Sequence, residues 1–166
     1  FEVVCWVVEW MAQTHVDGEG RVAHEAASGE VRYLADAAAL GRGYATLAEV
    51  LPEGLERARF TLLASRVAEG TLRDFATPSG ALAARTADPD APASLTTSDT
   101  PEGDNVLAAR FLAGLARVTG TARWREAARR ILAVMATPAH AVARGRFVGD
   151  LLMALDEAGE FPWWAA

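Results

Sequence analysis

Residues 34–51, Leu34-Ala35-Asp36-Ala37-Ala38-Ala39-Leu40-Gly41-Arg42-Gly43-Tyr44-Ala45-Thr46-Leu47-Ala48-Glu49-Val50-Leu51, decide the fold class. Ala37, Leu40, Gly41, Tyr44, Leu47, Ala48 and Leu51 recur at the i, i+3, i+4, i+7 spacing that lines one face of an α-helix. Pro52 stops this helix and is tolerated in the first turn of the next. That second helix is predicted to reach about Glu69, with Leu55, Ala58, Leu62 and Leu63 inward and Gly70 as its end. A helical hairpin of this kind buries only part of its apolar surface and needs neighbours.

The neighbours are legible on both sides. Phe1 to about Thr14 reads as a helix with Cys5, Val8 and Met11 or Ala12 on one face. Asp17-Gly18-Glu19-Gly20 breaks it in a tight turn, and residues 21–31, with Ser28-Gly29, suit a small β-hairpin. Residues 71–101 are turn chemistry again: Pro78-Ser79-Gly80, Asp88-Pro89-Asp90-Ala91-Pro92, and a Ser/Thr cluster from Ser94 to Thr100. Within them Leu82-Ala83-Ala84-Arg85 suits a short strand. So long a connection inside a compact domain marks a functional or disordered segment. Helical spacing resumes on Leu107, Ala108, Phe111, Leu115 and Val118, then on Trp124, Ala128, Ile131 and Met135 after Gly120. A last helix is predicted from Pro138 to Ala158, and the aromatic tail Phe161-Pro162-Trp163-Trp164 needs a surface to cover.

The two clearest hairpins match each other. Asp36 through Val50 aligns with Asp104 through Val118, pairing Leu40 with Ala108, Tyr44 with Leu112 and Leu47 with Leu115. In the return helices Leu62-Leu63-Ala64 falls near Ile131-Leu132-Ala133. A repeat of helix, short turn, helix and long excursion has the logic of stacked helical hairpins. The expected fold is therefore all-α: consecutive hairpins forming part of a six-hairpin α/α-toroid, with one or two short β-hairpin excursions. Residues 1–166 form a single helical-hairpin domain in this reading. Because the sequence opens inside the apolar run Val3-Val4-Cys5-Trp6-Val7-Val8, it is expected to be a fragment of a larger toroid.

Composition narrows the function classes. Of the residues 51% are hydrophobic and 23% charged, the net charge is −6, and all 16 basic residues are arginine. The densest basic group, Arg123, Arg125, Arg129 and Arg130, has Glu126 within it and reads as a solvated helix face, so no nucleic-acid partner is expected. Cys5 is the single cysteine, which excludes an internal disulfide and leaves a zinc cluster unsupported, so neither metal nor cofactor is expected. The N-terminal run has no secretory pattern and is too short to span a bilayer, giving a cytoplasmic protein with no membrane partner as the expectation.

The residues also resemble a family. Leu34 through Tyr44 resembles the Leu-Asp-Asp-Tyr-Ala…Gly-Tyr-Leu helix of the thioredoxin-fused, spermatogenesis-associated family. Ser98-Asp99-Thr100-Pro101-Glu102-Gly103-Asp104-Asn105 resembles its Asp-Gly-Ala-x-Pro-Ser-Gly-Asn loop, followed in order by Leu115-Ala116-Arg117-Val118-Thr119-Gly120 and Trp124-x-x-x-Ala128. The likeness covers about Gly18 to Ala158 and lies in order more than in any single motif. It implies a thioredoxin-like domain upstream and a six-hairpin α/α-barrel similar to sugar epimerases and glycosidases. Here Glu102 replaces the family's Ser, Asp104 its Asn, and no Cys-x-x-Cys is present.

The candidate ligand-binding residues are Asp99, Glu102, Asp104, Asn105, His24 and Asp36. Paired carboxylates suit sugar binding and general acid–base chemistry. The competing roles are local: Asp99 or Asp104 as a helix cap, His24 as a surface residue, Asp36 as a partner of the preceding loop. His15 and His140 read as helix-end residues, and Gly41-x-Gly43 as a close-packing site within a helix, without the strand that precedes a phosphate loop. The expected function is binding or processing of a small carbohydrate-like ligand. The alternatives are a non-catalytic scaffold whose exposed hairpin faces bind an upstream domain or a second copy, and an isolated fragment without activity of its own.

Overall fold

The computed structural model describes residues 2–25, 31–88, 90, 99–145 and 148–159. Seven helices lie among these residues: α1 (Glu2–Thr14), α2 (Leu34–Val50), α3 (Leu55–Phe75), α4 (Glu102–Thr119), α5 (Ala122–Met135), α6 (Pro138–Arg144) and α7 (Gly149–Glu157). The all-α class holds. The excursions contain isolated antiparallel bridges, Val16–Val22, Tyr33–Arg85 and Ala76–Leu82, where short β-hairpins were expected.

Two hairpins, α2–α3 and α4–α5, pack through α2 against α4. The register is parallel. Glu49 near the end of α2 meets Arg117 near the end of α4, 68 residues on, with Nε–Oε1 at 3.2 Å. Midway along, the Phe111 ring occupies the space a side chain would need at Gly41. The aligned repeat in the sequence is thus an aligned pair in space. Helix α7 joins the same row beside α4: Arg144, just before it, pairs with Glu102, and Glu157 at its end takes a forked bond from Arg110. The other row is stitched by charge, Glu9 of α1 to Arg59 of α3 and Glu69 of α3 to Arg123 of α5.

The core lies between the rows. Tyr44, Phe60, Phe111, Leu112, Leu115, Ile131 and Leu132 are among its largest fully buried side chains, and Tyr44 stacks on Phe60 with centroids 6.2 Å apart. Burial pushes the Tyr44 hydroxyl up to about 12, against a smaller opposing effect of Arg59. Many core positions on α2 and α4 are alanine, so the backbones approach closely and the aromatic rings fill what remains. On α1, Cys5, Val8, Met11 and Ala12 pack against the core as the periodicity predicts.

Three sequence expectations fail, each for a physical reason. Helix α3 does not end at Gly70 but continues to Phe75. Gly70 is there because a Cβ would lie 2.6 Å from the carbonyl oxygen of Gly20, so the first excursion rests on the helix backbone. The inward face of α3 is also rotated from the predicted one. Phe60, Ala64, Val67, Ala68, Thr71 and Phe75 are buried and Leu63 packs against the core as predicted, while Ala58 is exposed and Leu55 is 89% and Leu62 53% exposed. Finally, the single helix expected over 138–158 is two, α6 and α7, with Gly145 at φ +54° after the first.

The excursions after α1 and α3 close alike, offset by 60 residues. Asp17 N–H donates to Arg21 O and Ala23 N–H to His15 O; Thr77 N–H donates to Ala81 O and Ala83 N–H to Phe75 O. Gly20 and Gly80 supply the positive φ that both turns require. Ala76-Thr77-Pro78 recurs as Ala136-Thr137-Pro138 after α5, but no glycine follows there. Thr137 instead accepts the His140 N–H, and the chain enters α6.

Gly70 and Gly43 make opposite predictions. Gly70→Ala should destabilise by about 1–3 kcal/mol, since backbone must move to admit the methyl group. Gly43→Ala meets nothing within 4 Å and should stabilise by about 0.5–1 kcal/mol through helix propensity. Urea unfolding of both variants checks the contrast.

Candidate functional site

Parallel packing of α2 and α4 brings their first turns to one pole of the domain, and acids occupy both: Asp36 on α2, Glu102 and Asp104 on α4. Helix N-termini favour negative charge, so each is locally compatible. Asp36 and Asp104 hold equivalent places in the two hairpins and are near enough to feel each other. Burial first, and then the Asp36 charge, push the Asp104 carboxyl above its ordinary range.

His24 joins the pair from the first excursion. Its Nδ1 lies 2.8 Å from Asp36 Oδ2, and its ring meets Tyr33 edge-on at 5.3 Å. The imidazole is largely exposed, so one face of this dyad is open to solvent. A carboxyl held toward its neutral form beside a histidine–carboxylate pair is an arrangement suited to donating and accepting protons on one ligand.

The other candidates separate from this trio. Glu102 Oε1 pairs with Arg144 Nε at 2.6 Å, and Arg144 also pairs with Asp150, which ties the start of α4 to the approach to α7. Asn105 is fully buried. Its Oδ1 accepts the Leu82 N–H at 2.7 Å while Nδ2 donates to Leu82 O and Pro101 O, both at 2.9 Å. Both amide hydrogens are committed to backbone, so Asn105 holds the second excursion on α4 as a strand partner would. Asp99 is exposed, and its carbonyl accepts the Ala84 N–H at 2.6 Å. None of the acids caps α4: Pro101 is its N-cap residue and gives no side-chain cap bond. His15 and His140 are helix-end residues, with ring nitrogens near Ala23 O and Thr137 Oγ1. Most of the Ser/Thr cluster (residues 94–98) and the tryptophan tail (163–164) lie outside the described residues.

A second cluster went unnoticed in the sequence. Arg42, Arg110, Arg117, Glu49 and Glu157 line one cavity against α2 and α4. The available signal was the repeat itself, since Arg42 and Arg110 are as equivalent as Asp36 and Asp104. Among the described residues no three His, Cys, Asp or Glu side chains are placed to hold a metal ion. No described helix is long and apolar enough to cross a membrane. Comparisons with protein-family models, curated proteins and solved structures return no match.

The raised Asp104 pKa has a definite pH signature. Below 3.8, its ordinary value, the carboxyl is neutral whether the chain is folded or not. As pH rises the unfolded chain ionises first, so folding stability is lost until the folded-state pKa is passed. Asp104→Asn removes that loss. It should melt above the wild type near neutral pH, with the advantage shrinking to nothing below pH 3.8. Melting temperatures across this range check it, and a pH-independent difference contradicts it.

Proposed function

We propose that this chain is a ligand-binding part of a six-hairpin α/α-toroid related to the thioredoxin-fused, spermatogenesis-associated family, taking a carbohydrate-like ligand at the Asp36–Asp104 pole. One observation carries the reading: two hairpins deliver carboxylates from equivalent positions to one place, with His24 bonded to one of them. Adjacent hydroxyls of a polyol suit this set, because two carboxyl groups side by side can each take a hydrogen bond from a hydroxyl. Asp99 and Glu102 flank the same end of α4, and Asn105 fixes the excursion that borders it.

The experiment is calorimetric titration of the chain with a panel of mono- and disaccharides, alongside Asp36→Asn and Asp104→Asn. Each substitution is expected to weaken a bound sugar at least about tenfold, roughly the worth of one charge-assisted hydrogen bond. Unchanged affinity in both variants defeats the ligand reading.

A scaffold reading has its own observation. Val3, Val4, Trp6, Val7 and Trp10 are all exposed on α1, Trp6 by 66%, and together make an apolar face large enough to attract a partner. If this face self-associates, sedimentation should show a dimer that Trp6→Glu dissociates; a monomer at every concentration removes self-association.

A further inference from the structure

We propose that the cavity between α2, α4 and the end of α7 binds a small oxyanion, the phosphoryl or carboxylate group of a metabolite, on Arg42, Arg110 and Arg117. The cavity holds about 230 Å³, which suits a compact anion. Three guanidinium groups line it against two carboxylates.

The existing ion pairs leave one cation over. Arg110 takes Glu157 in a fork, with Nη2 at 2.6 Å and Nε at 2.9 Å. Arg117 takes Glu49 at 3.2 and 3.4 Å. Arg42 reaches only the already occupied Glu157, with Nη2 at 3.8 Å, beyond hydrogen-bond range. Its Nη1 is buried and has no hydrogen-bond partner. Guanidinium does not shed its proton in a protein, and the Arg42 side chain is 31% exposed, so an anion entering the cavity can meet its accessible part and supply the missing negative charge. Burial foremost, then the charges of Arg110 and Arg117, disfavour the Arg42 cation against the pull of Glu157, the sign of a pocket short of negative charge. The planar fork of arginine matches the oxygens of carboxylate and phosphate, and a second and third arginine favour an ion bearing more than one charge. These residues are separate from Asp36, Asp104 and His24, so the proposal stands independently of the sugar reading.

The test is calorimetric titration of the whole chain at low ionic strength with inorganic phosphate and, separately, with malonate. Saturable binding of either is expected; phosphate alone assigns a phosphoryl ligand, malonate alone a carboxylate, and both an oxyanion of either kind. Arg42→Gln should weaken the bound probe at least about tenfold. Thr46→Glu, on the cavity wall, should abolish binding by supplying the acceptor internally, without lowering the melting temperature. It leaves all three arginines in place, so it decides the matter even if Arg42→Gln fails to fold. Neither probe saturating the wild type by about 10 mM, far weaker than a millimolar site, overturns the proposal, as does wild-type affinity in Thr46→Glu.

Discussion

The contact of Phe111 with the bare backbone of Gly41 is the constraint on which the rest depends. A ring fits there only because α2 has no side chain at that position, and closeness at this point sets how α2 and α4 lie along their length. Once that register is set, everything equivalent in the two hairpins becomes adjacent: Asp36 with Asp104 at one end, Glu49 with Arg117 at the other. Between them Arg42 and Arg110 converge on Glu157. A repeat in sequence is converted into pairs in space, and pairs of like charge are the price of that economy. The molecule answers in two ways. It partly buries one member of the carboxylate pair, and it inserts an acid from α7 between two arginines.

The excursions are positioned by backbone, not by packed side chains. Gly20 lies on Arg66 and Gly70 of α3, with no room for a Cβ at either glycine. Asn105 clasps Leu82 from both sides of its peptide, so the second excursion is fastened to α4 within a turn of Asp104. The Asn105 clasp leaves the Leu82 N–H and C=O satisfied, groups that would otherwise cost about 1–3 kcal/mol each. The two devices also explain why His24 can sit beside Asp36 although it belongs to no helix.

Much of this was legible in the sequence. The helix class, the hairpins, the faces of α1, α4 and α5, and the repeat all follow from apolar spacing, because burial imposes a helical period on such residues. The phase of α3 was not legible. Its leucines at 55 and 62 mimic an inward stripe that competes with the true one, where Phe60, Val67 and Phe75 are spaced out by alanines, Gly70 and Thr71 of little hydrophobic signal. Gly70 looked like a terminator because the contact that demands it comes from residue 20, far along the chain. The acids at the pole were found through their turn-rich context, whereas Asp36 could be matched with Asp104 only through the repeat. The arginine cluster escaped because its members are a turn or more apart on two helices, α2 and α4, and local charge counting treats each as a surface residue.

The α2–α4 pairing also bears on how this fold can change. The hairpins are local and form from short-range contacts, but the pairing closes a chain segment of 68 residues, much of it the long second excursion. Loop-closure entropy grows only logarithmically, so doubling such a segment costs about 0.6 kcal/mol. Insertions in residues 86–100 are therefore cheap for folding, and the segment leads directly into the first turn of α4, where Asp104 sits. A lineage could alter the approach to Asp104 by lengthening one connection, while Gly41 and Phe111 keep the carboxylates where they are.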